Sequence, residues 1–410
     1  MIRLLRAAAW GLSALCLGVT LAGQQPPSFE DVVRNLRNPD PKARIESLRL
    51  LRESRHAEAA VPVAALVNDP VDEIQLEAIA AELSFFVVQA APSKKYVALV
   101  VEVRGKDQAA QLFDQGPLAT WPVGAPPEVL DALLKAVDDE NPRVRGDAIY
   151  AAGVVARPPL TDASAALLIR ALDHYEPSVR MAAARVAGRL KVTQAGDALI
   201  NAVNDSTPAV RFAAMRALGE VREERAVQAL VEQLKFYDKG EGAWSALDGL
   251  ARIAHASSAE LFRTRLADKD PLLRMASAEG IGRIGNAGDT IALQSALDRE
   301  STDTVRVALA FALVKVGQRP YVSRLVDALG PTHTALQAQS YLLELGPSIV
   351  PDVAPRLQDP SAAVRGGVAE VIGALGTADQ IPVLAAFTKD RDGAVAKKAA
   401  LAIERIKRHP

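Results

Sequence analysis

A short motif recurs along most of this chain, and its spacing limits the possible folds more than any other feature. The segments Pro142–Arg145, Pro177–Arg180, Pro208–Arg211 and Pro271–Arg274 share a Pro-x-apolar-Arg core. Asp303–Arg306 and Ala362–Arg365 keep the apolar-Arg pair, and Gly393–Ala396 is a weaker copy. The step between copies is about 31 residues, within the range of helical repeat arrays. Such a chain buries its core between neighbouring units, each of which is too small to enclose one alone.

With the motif arginine as reference, equivalent positions fall at Arg44, Gln75, Arg145, Arg180, Arg211, Ala243, Arg274, Arg306, Gln337, Arg365 and Ala396. Each interval is long enough for two helices and two tight turns. Proline at 142, 177, 208 and 271 suits the first position of a second helix, where its fixed φ fits and its missing N–H costs nothing. Asn141, Thr207 and Asp270 precede three of these prolines as expected N-caps. Around Arg211, Val210, Ala214, Ala217 and Leu218 draw one apolar helical stripe. Gly153, Gly188, Gly219, Gly282 and Gly373 recur eight residues after the reference, where a missing side chain lets helices approach closely.

These features predict an all-α, right-handed α-α superhelix of about eleven to twelve helix pairs. Aromatic residues make up only 4% of the chain, which suits thin, closely packed helices. The repeats are expected over 28–85 and again over 127–410. Residues 86–126 break the pattern with Phe85–Val88, Tyr96–Val101 and the turn signals Gln115–Pro117 and Gly124–Pro127. The jump from Gln75 to Arg145 spans two periods, so the expectation is a distorted repeat with an extended loop, or else a small β excursion.

The formal net charge of −1 carries no basic footprint, so no nucleic-acid partner is expected. Arg3 and Arg6, the apolar run Ala7–Val19 and the small residues near Ala22 have the order of a secretory signal peptide. The expectation is therefore a signal over 1–22, cleaved after Ala22 or Gly23, a linker over 23–27, and an exported chain, periplasmic or secreted, without a stable membrane span. Leu15 before Cys16 disfavours a lipid anchor. Removal of the signal would take the only cysteine with it.

At these residues the chain resembles HEAT repeats, most closely the short-repeat subgroup named after phycobilisome lyases. The frame Asp-x-x-x-Pro-x-Val-Arg-x-x-Ala-x-x-Ala-Leu-Gly, read with an adjusted spacer between Asp205 and Gly219, carries the likeness. It covers nearly all of the array, with weaker matches near Ala243, Gln337 and Ala396. The resemblance implies a solenoid. Its members include scaffolds, bilin lyases and an iron hydroxylase, so fold alone does not choose among them.

Two sets of residues stand out. An acid stands six residues before the reference at Asp69, Asp139, Asp205, Asp268, Glu300, Asp359 and Asp390. Its repetition points to a structural ladder with Arg145, Arg180, Arg211, Arg274, Arg306 and Arg365. The second set departs from the family pattern. The residue after the reference reads Gly146, Met181, Phe212, Trp244, Met275, Val307 and Gly366, and four further on stand Tyr150, Arg185, Arg216, Asp248, Glu279, Phe311 and Glu370. Tyr150, Met181, Arg185, Phe212, Arg216, Trp244, Met275 and Phe311 are the candidate partner-binding residues, because aromatic, Met and Arg side chains dominate interface hot spots. Extra core is the competing reading.

Catalytic and metal chemistry find no pattern. None of His56, His174, His255, His333 and His409 is followed by glutamate, no two share ligand spacing, and there is no Gly-x-Ser-x-Gly elbow. The expected function is a non-enzymatic scaffold binding a protein or peptide on its concave face, without cofactor or metal. The alternative is a lyase-like or oxidoreductase-like enzyme, or an enzyme accessory, of the phycobilisome-lyase and deoxyhypusine-hydroxylase group.

Overall fold

The computed structural model describes residues 27–88 and 108–408. The expected signal peptide with its cleavage sites, the stretch Tyr96–Val101 and His409 lie outside the described residues.

The described residues build a succession of helix pairs. In order they are α1 (Phe29–Asn35) with α2 (Pro41–Ser54), and α3 (Ala60–Ala64) with α4 (Asp72–Phe86). After the unpaired α5 (Gln108–Asp114) come α6 (Pro127–Lys135) with α7 (Pro142–Val155), α8 (Asp162–Ala171) with α9 (Pro177–Arg189), and α10 (Gly196–Ala202) with α11 (Pro208–Val221). Then follow α12 (Val227–Tyr237) with α13 (Gly240–Ile253), α14 (Ala259–Arg265) with α15 (Pro271–Ile284), and α16 (Thr290–Arg299) with α17 (Asp303–Lys315). The last are α18 (Val322–Asp327) with α19 (Thr332–Leu345), α20 (Val350–Val353) with α21 (Ala362–Leu375), and α22 (Ile381–Phe387) with α23 (Gly393–Lys407). Among the described residues this makes an α-solenoid of eleven pairs.

Successive second helices pack on one another through small residues. A Cβ at Gly188 would lie 2.9 Å from the Cα of Ala217, one at Gly282 2.6 Å from that of Ala312, and one at Gly373 2.7 Å from that of Ala402. The recurrent glycine thus permits backbone-to-backbone contact. Around it, Val210, Ala214, Ala217 and Leu218 are all buried, as the stripe requires. Of the expected N-caps, Asn141 and Asp270 accept from backbone N–H groups two residues on. Thr207 does not cap. Asp205 takes the Thr207 N–H at 2.8 Å and so fixes the same turn from outside the helix.

Two expectations on register need correction. First, α4 packs directly on α7, so no repeat stands between Gln75 and Arg145. The intervening chain is an insertion: α5 lies on α7, and the described part of the proposed β excursion is a single bridge between Val87 and Thr120. Second, the reference position in α19 is Ala335 and not Gln337. Each second helix places its reference residue four positions in, and α19 begins at Thr332. Thr334, Ala338 and Leu342 then occupy the buried places held by Val210, Ala214 and Leu218 in α11.

Candidate functional site

The ladder residues form a recurring chemical pattern along one edge. Each motif arginine turns back to its own inter-helix turn and reaches forward to the next. Arg180 donates to the carbonyls of His174 (2.8 Å) and Tyr175 (3.1 Å), and its other N–H groups meet Asp205 at 2.7 and 2.9 Å. Arg274 does the same with Asp268, Lys269 and Glu300, and Arg365 with Asp359, Pro360 and Asp390. Arg145 bonds the carbonyls of Asp139 and Glu140 and pairs with Glu176, while Asp139 accepts from Gln75 at 2.7 Å. Each acid also accepts the backbone N–H two residues on, as Asp205 does from Thr207 and Glu300 from Thr302. His174 takes that role in its repeat: it is half-buried and its Nδ1 accepts from the Glu176 N–H at 3.1 Å.

Two exceptions are informative. Arg211 meets Tyr237, which stands where the acid would be, and donates to its hydroxyl at 2.6 Å. Arg306 bonds the Glu300 carbonyl at 2.8 Å but faces a repeat in which Leu329 replaces the acid and Ala335 the arginine. Asp359 turns instead to Arg356 of its own repeat. The ladder is interrupted between α17 and α21, and again at α13, where Ala243 replaces the arginine and Asp268 turns to Arg265 of its own repeat.

Asp205 and Glu300 are held below the ordinary carboxylate range. Hydrogen bonds from Arg274, outweighing burial and joined by the Thr302 N–H, bring Glu300 down to about 2. Asp205 is lowered chiefly by its hydrogen bond from Arg180. These are charge-assisted bonds to the ionised form.

The second helices line the inside of the curve. Arg283 of α15 pairs with Glu344 of α19 at 2.9 Å, and Tyr341 donates to Glu279 of α15, over the intervening α17. Residues two repeats apart meet only where a stack bends toward them. On this inner side Met181, Phe212, Trp244 and Met275 are half-buried. Phe212 meets the Tyr237 ring edge-on at 5.3 Å. Arg216 lies 5.3 Å from the centre of the Trp244 ring and donates to Ser245 at 2.9 Å.

Two of the remaining candidates, Tyr150 and Phe311, are covered. Phe311 is 0% exposed, stacked on Tyr341 with centroids 4.4 Å apart, and Tyr150 lies under Phe113 of the insertion at 5.4 Å. Arg185 reaches the Tyr150 hydroxyl at 3.0 Å and pairs with Asp114. Tyr150 and Phe311 therefore belong to the core. The partly open inner surface runs from α9 to α15.

Four residues further along each helix stands a charged row that sequence reading passed over: Arg189, Glu220, Arg252, Arg283, Lys315 and Glu344. Asp248 is the first of several acids holding the Arg252 guanidinium strongly protonated, while burial pushes the Glu220 carboxyl up. The periodic signal was present, but the wrong register in α19 hid Glu344. Glu82 was also missed. It occupies the stripe place of Leu218 and Leu250, is 0% exposed, and neither carboxyl oxygen has a hydrogen-bond partner among the described residues. Burial drives its carboxyl well above the usual range, toward the neutral form. No group of three or more His, Cys, Asp or Glu side chains arranged to hold a metal occurs among the described residues.

Comparison with known families agrees with the repeat geometry. The HEAT-repeat model matches residues 164–239, 238–314 and 323–408, more than half of the chain. The chain belongs to the HEAT-repeat family. Among solved structures it is similar to an engineered protein (18% identity, 92% of this chain and 98% of that one, TM-score 0.39). It is also similar to the CpcE–CpcF complex of phycocyanin lyase from Nostoc sp. PCC7120 (16%, 78% and 96%, 0.36). A third likeness is to human deoxyhypusine hydroxylase in complex with glycerol (17%, 69% and 97%, 0.29). At these scores no activity carries over from them. No curated protein matches the chain. No described helix is long and apolar enough to cross a membrane.

Proposed function

We propose that this HEAT-repeat solenoid is an exported, non-enzymatic scaffold that binds a protein or peptide segment along the inner surface between α9 and α15. The observation that carries this reading is the row Met181, Phe212, Trp244 and Met275. It stays half-buried where Phe311 and Tyr150, in the adjoining row, are sealed by neighbouring side chains. Three of its neighbours are Arg185, Arg216 and Tyr237, which supply hydrogen-bonding groups beside the apolar surface. Aromatic and Met surface flanked by arginine suits a partner segment with apolar anchors and carbonyl or carboxylate acceptors.

The test is recovery of the chain with its bound proteins from the cells that make it, wild type against a Phe212→Ala/Trp244→Ala double variant. Loss of one specific partner supports the reading. An unchanged set of partners overturns it, and so does turnover or tightly bound iron in the purified protein. Trp244 also offers a direct readout, because a partner segment seated beside it should shift its fluorescence.

A further inference from the structure

In a solenoid each repeat touches its sequence neighbours, so a contact between distant repeats demands a separate explanation. One is present here. Arg405, on the last second helix α23, donates to the Leu118 carbonyl at 2.8 Å, across a separation of 287 residues. One turn of helix later, the Arg408 guanidinium lies 4.1 Å from the centre of the Trp121 ring. Both Leu118 and Trp121 belong to the insertion between α5 and α6.

The insertion is firmly seated on the other side. Phe113 of α5 fills the space left by Gly153, where an added Cβ would lie 2.7 Å from its ring. Arg189 of α9 lies 3.9 Å from the Phe113 ring centre and bonds its carbonyl at 2.9 Å. The Trp121 N–H donates to the Phe86 carbonyl at 2.9 Å, and the Val88 N–H to that of Ala119 at 2.8 Å. Arg157, just beyond α7, donates to Thr120 and, at 2.6 Å, to the Trp121 carbonyl.

We propose that residues 108–126 are a clasp that joins the far end of the solenoid to its early repeats, filling the gap where the superhelix comes round upon itself and holding the inner face at one width. The insertion is anchored to α4, α7 and α9, and presents the 117–121 turn to α23. Its grip on α23 consists of a carbonyl acceptor and an aromatic face, with no carboxylate on the clasp side among the bonds to Arg405 and Arg408. Burial and the nearby Arg157 both lower the Arg405 guanidinium from its ordinary value. The clasp therefore holds through bonds that water can replace, with two cations facing each other across it. Such a contact can open without unfolding a repeat.

The test is a distance measurement between spin labels at Val123 and Lys407 in a full-length Cys16→Ser background. The wild-type chain should give one narrow, short distance. Trp121→Ala and Arg408→Ala remove opposite sides of one contact. Each should broaden and lengthen the distribution, with helix content unchanged by circular dichroism and the maximum dimension in X-ray scattering increased. The two together should add little beyond either alone. A broad, long distribution in the wild type overturns the proposal, and so does a narrow one that survives both substitutions. Arg405→Lys, which keeps a charge and one donor, should retain a partly closed population.

Discussion

From α9 to α13 the repeats are stitched along their turn edge, whereas α17 and α19 are held together from within. In the first region Arg180 hands its charge to Asp205 and Arg211 bonds the Tyr237 hydroxyl, and Met181, Phe212 and Trp244 on the inner side are left half-buried. In the second, Arg306 has Leu329 where its acid would be, and the bond between repeats passes inside, through Tyr341, Glu279, Arg283 and Glu344. The difference teaches that the same family solves one problem in two ways. Edge stitching leaves the inner surface free for a ligand. Inner stitching consumes it.

If that distinction is right, the two regions should fail differently. The largest effect is expected for Arg283→Ala, which strands Glu279 and Glu344 in a site where Arg283 itself is 7% exposed. Removing one partner of a buried pair costs about 3–5 kcal/mol. Hydrogen exchange should show lost protection concentrated in α15, α17 and α19; protection lost evenly along the array would break the comparison. Arg274→Ala in the ladder should cost less, about 1–3 kcal/mol, because water reaches its edge and its bonds are shared with backbone carbonyls.

The ladder variant carries a pH signature. Glu300 in the folded chain titrates at about 2, below the ordinary glutamate value, so its contribution is present above that ordinary value and lost as pH falls toward 2. Removing Arg274 lets the Glu300 pKa rise. The stability gap between wild type and Arg274→Ala, from urea midpoints, should therefore shrink steadily from pH 5 to pH 2. A constant gap would mean that Arg274 acts through packing and not through Glu300.

The smallest effect is expected for Ala335→Arg, which restores the missing arginine at the interrupted junction. Asp359 already accepts from Arg356, so the gain should not exceed about 1 kcal/mol. A measurable rise in the urea midpoint would show that α19 still has the geometry for edge stitching. A loss would show that inner stitching has turned the helix too far.

Much of this was legible in the sequence, because it is local. The motif proline marks a helix start, the glycine marks a close approach, and an acid six residues before the reference accepts from the backbone two residues on. Where sequence reading failed, the cause was non-local. Nothing near Phe311 in the chain announces that Tyr341 will stack on it, and Tyr150 is covered by Phe113 from the insertion. The misplaced reference at Gln337 followed from counting residues between motifs, when the helix start at Thr332 decides the register. Glu82 could have been found by aligning the stripe, since it stands where Leu51, Leu218 and Leu250 stand elsewhere. Its burial without a partner could not.

The glycine contacts have a mechanical meaning that reaches beyond their own repeats. At the Gly219–Gly249 crossing the two backbones touch, and a Cβ on Gly219 would sit 2.8 Å from the Cα of Gly249. That crossing lies near the middle of a long arm. A methyl group there would pry α11 from α13 by a small angle, and every later repeat would carry that rotation outward, as a slight turn at the shoulder moves the hand. The part that travels farthest is α23, so whether Arg405 meets Leu118 is settled many repeats away, by the width of a hydrogen atom.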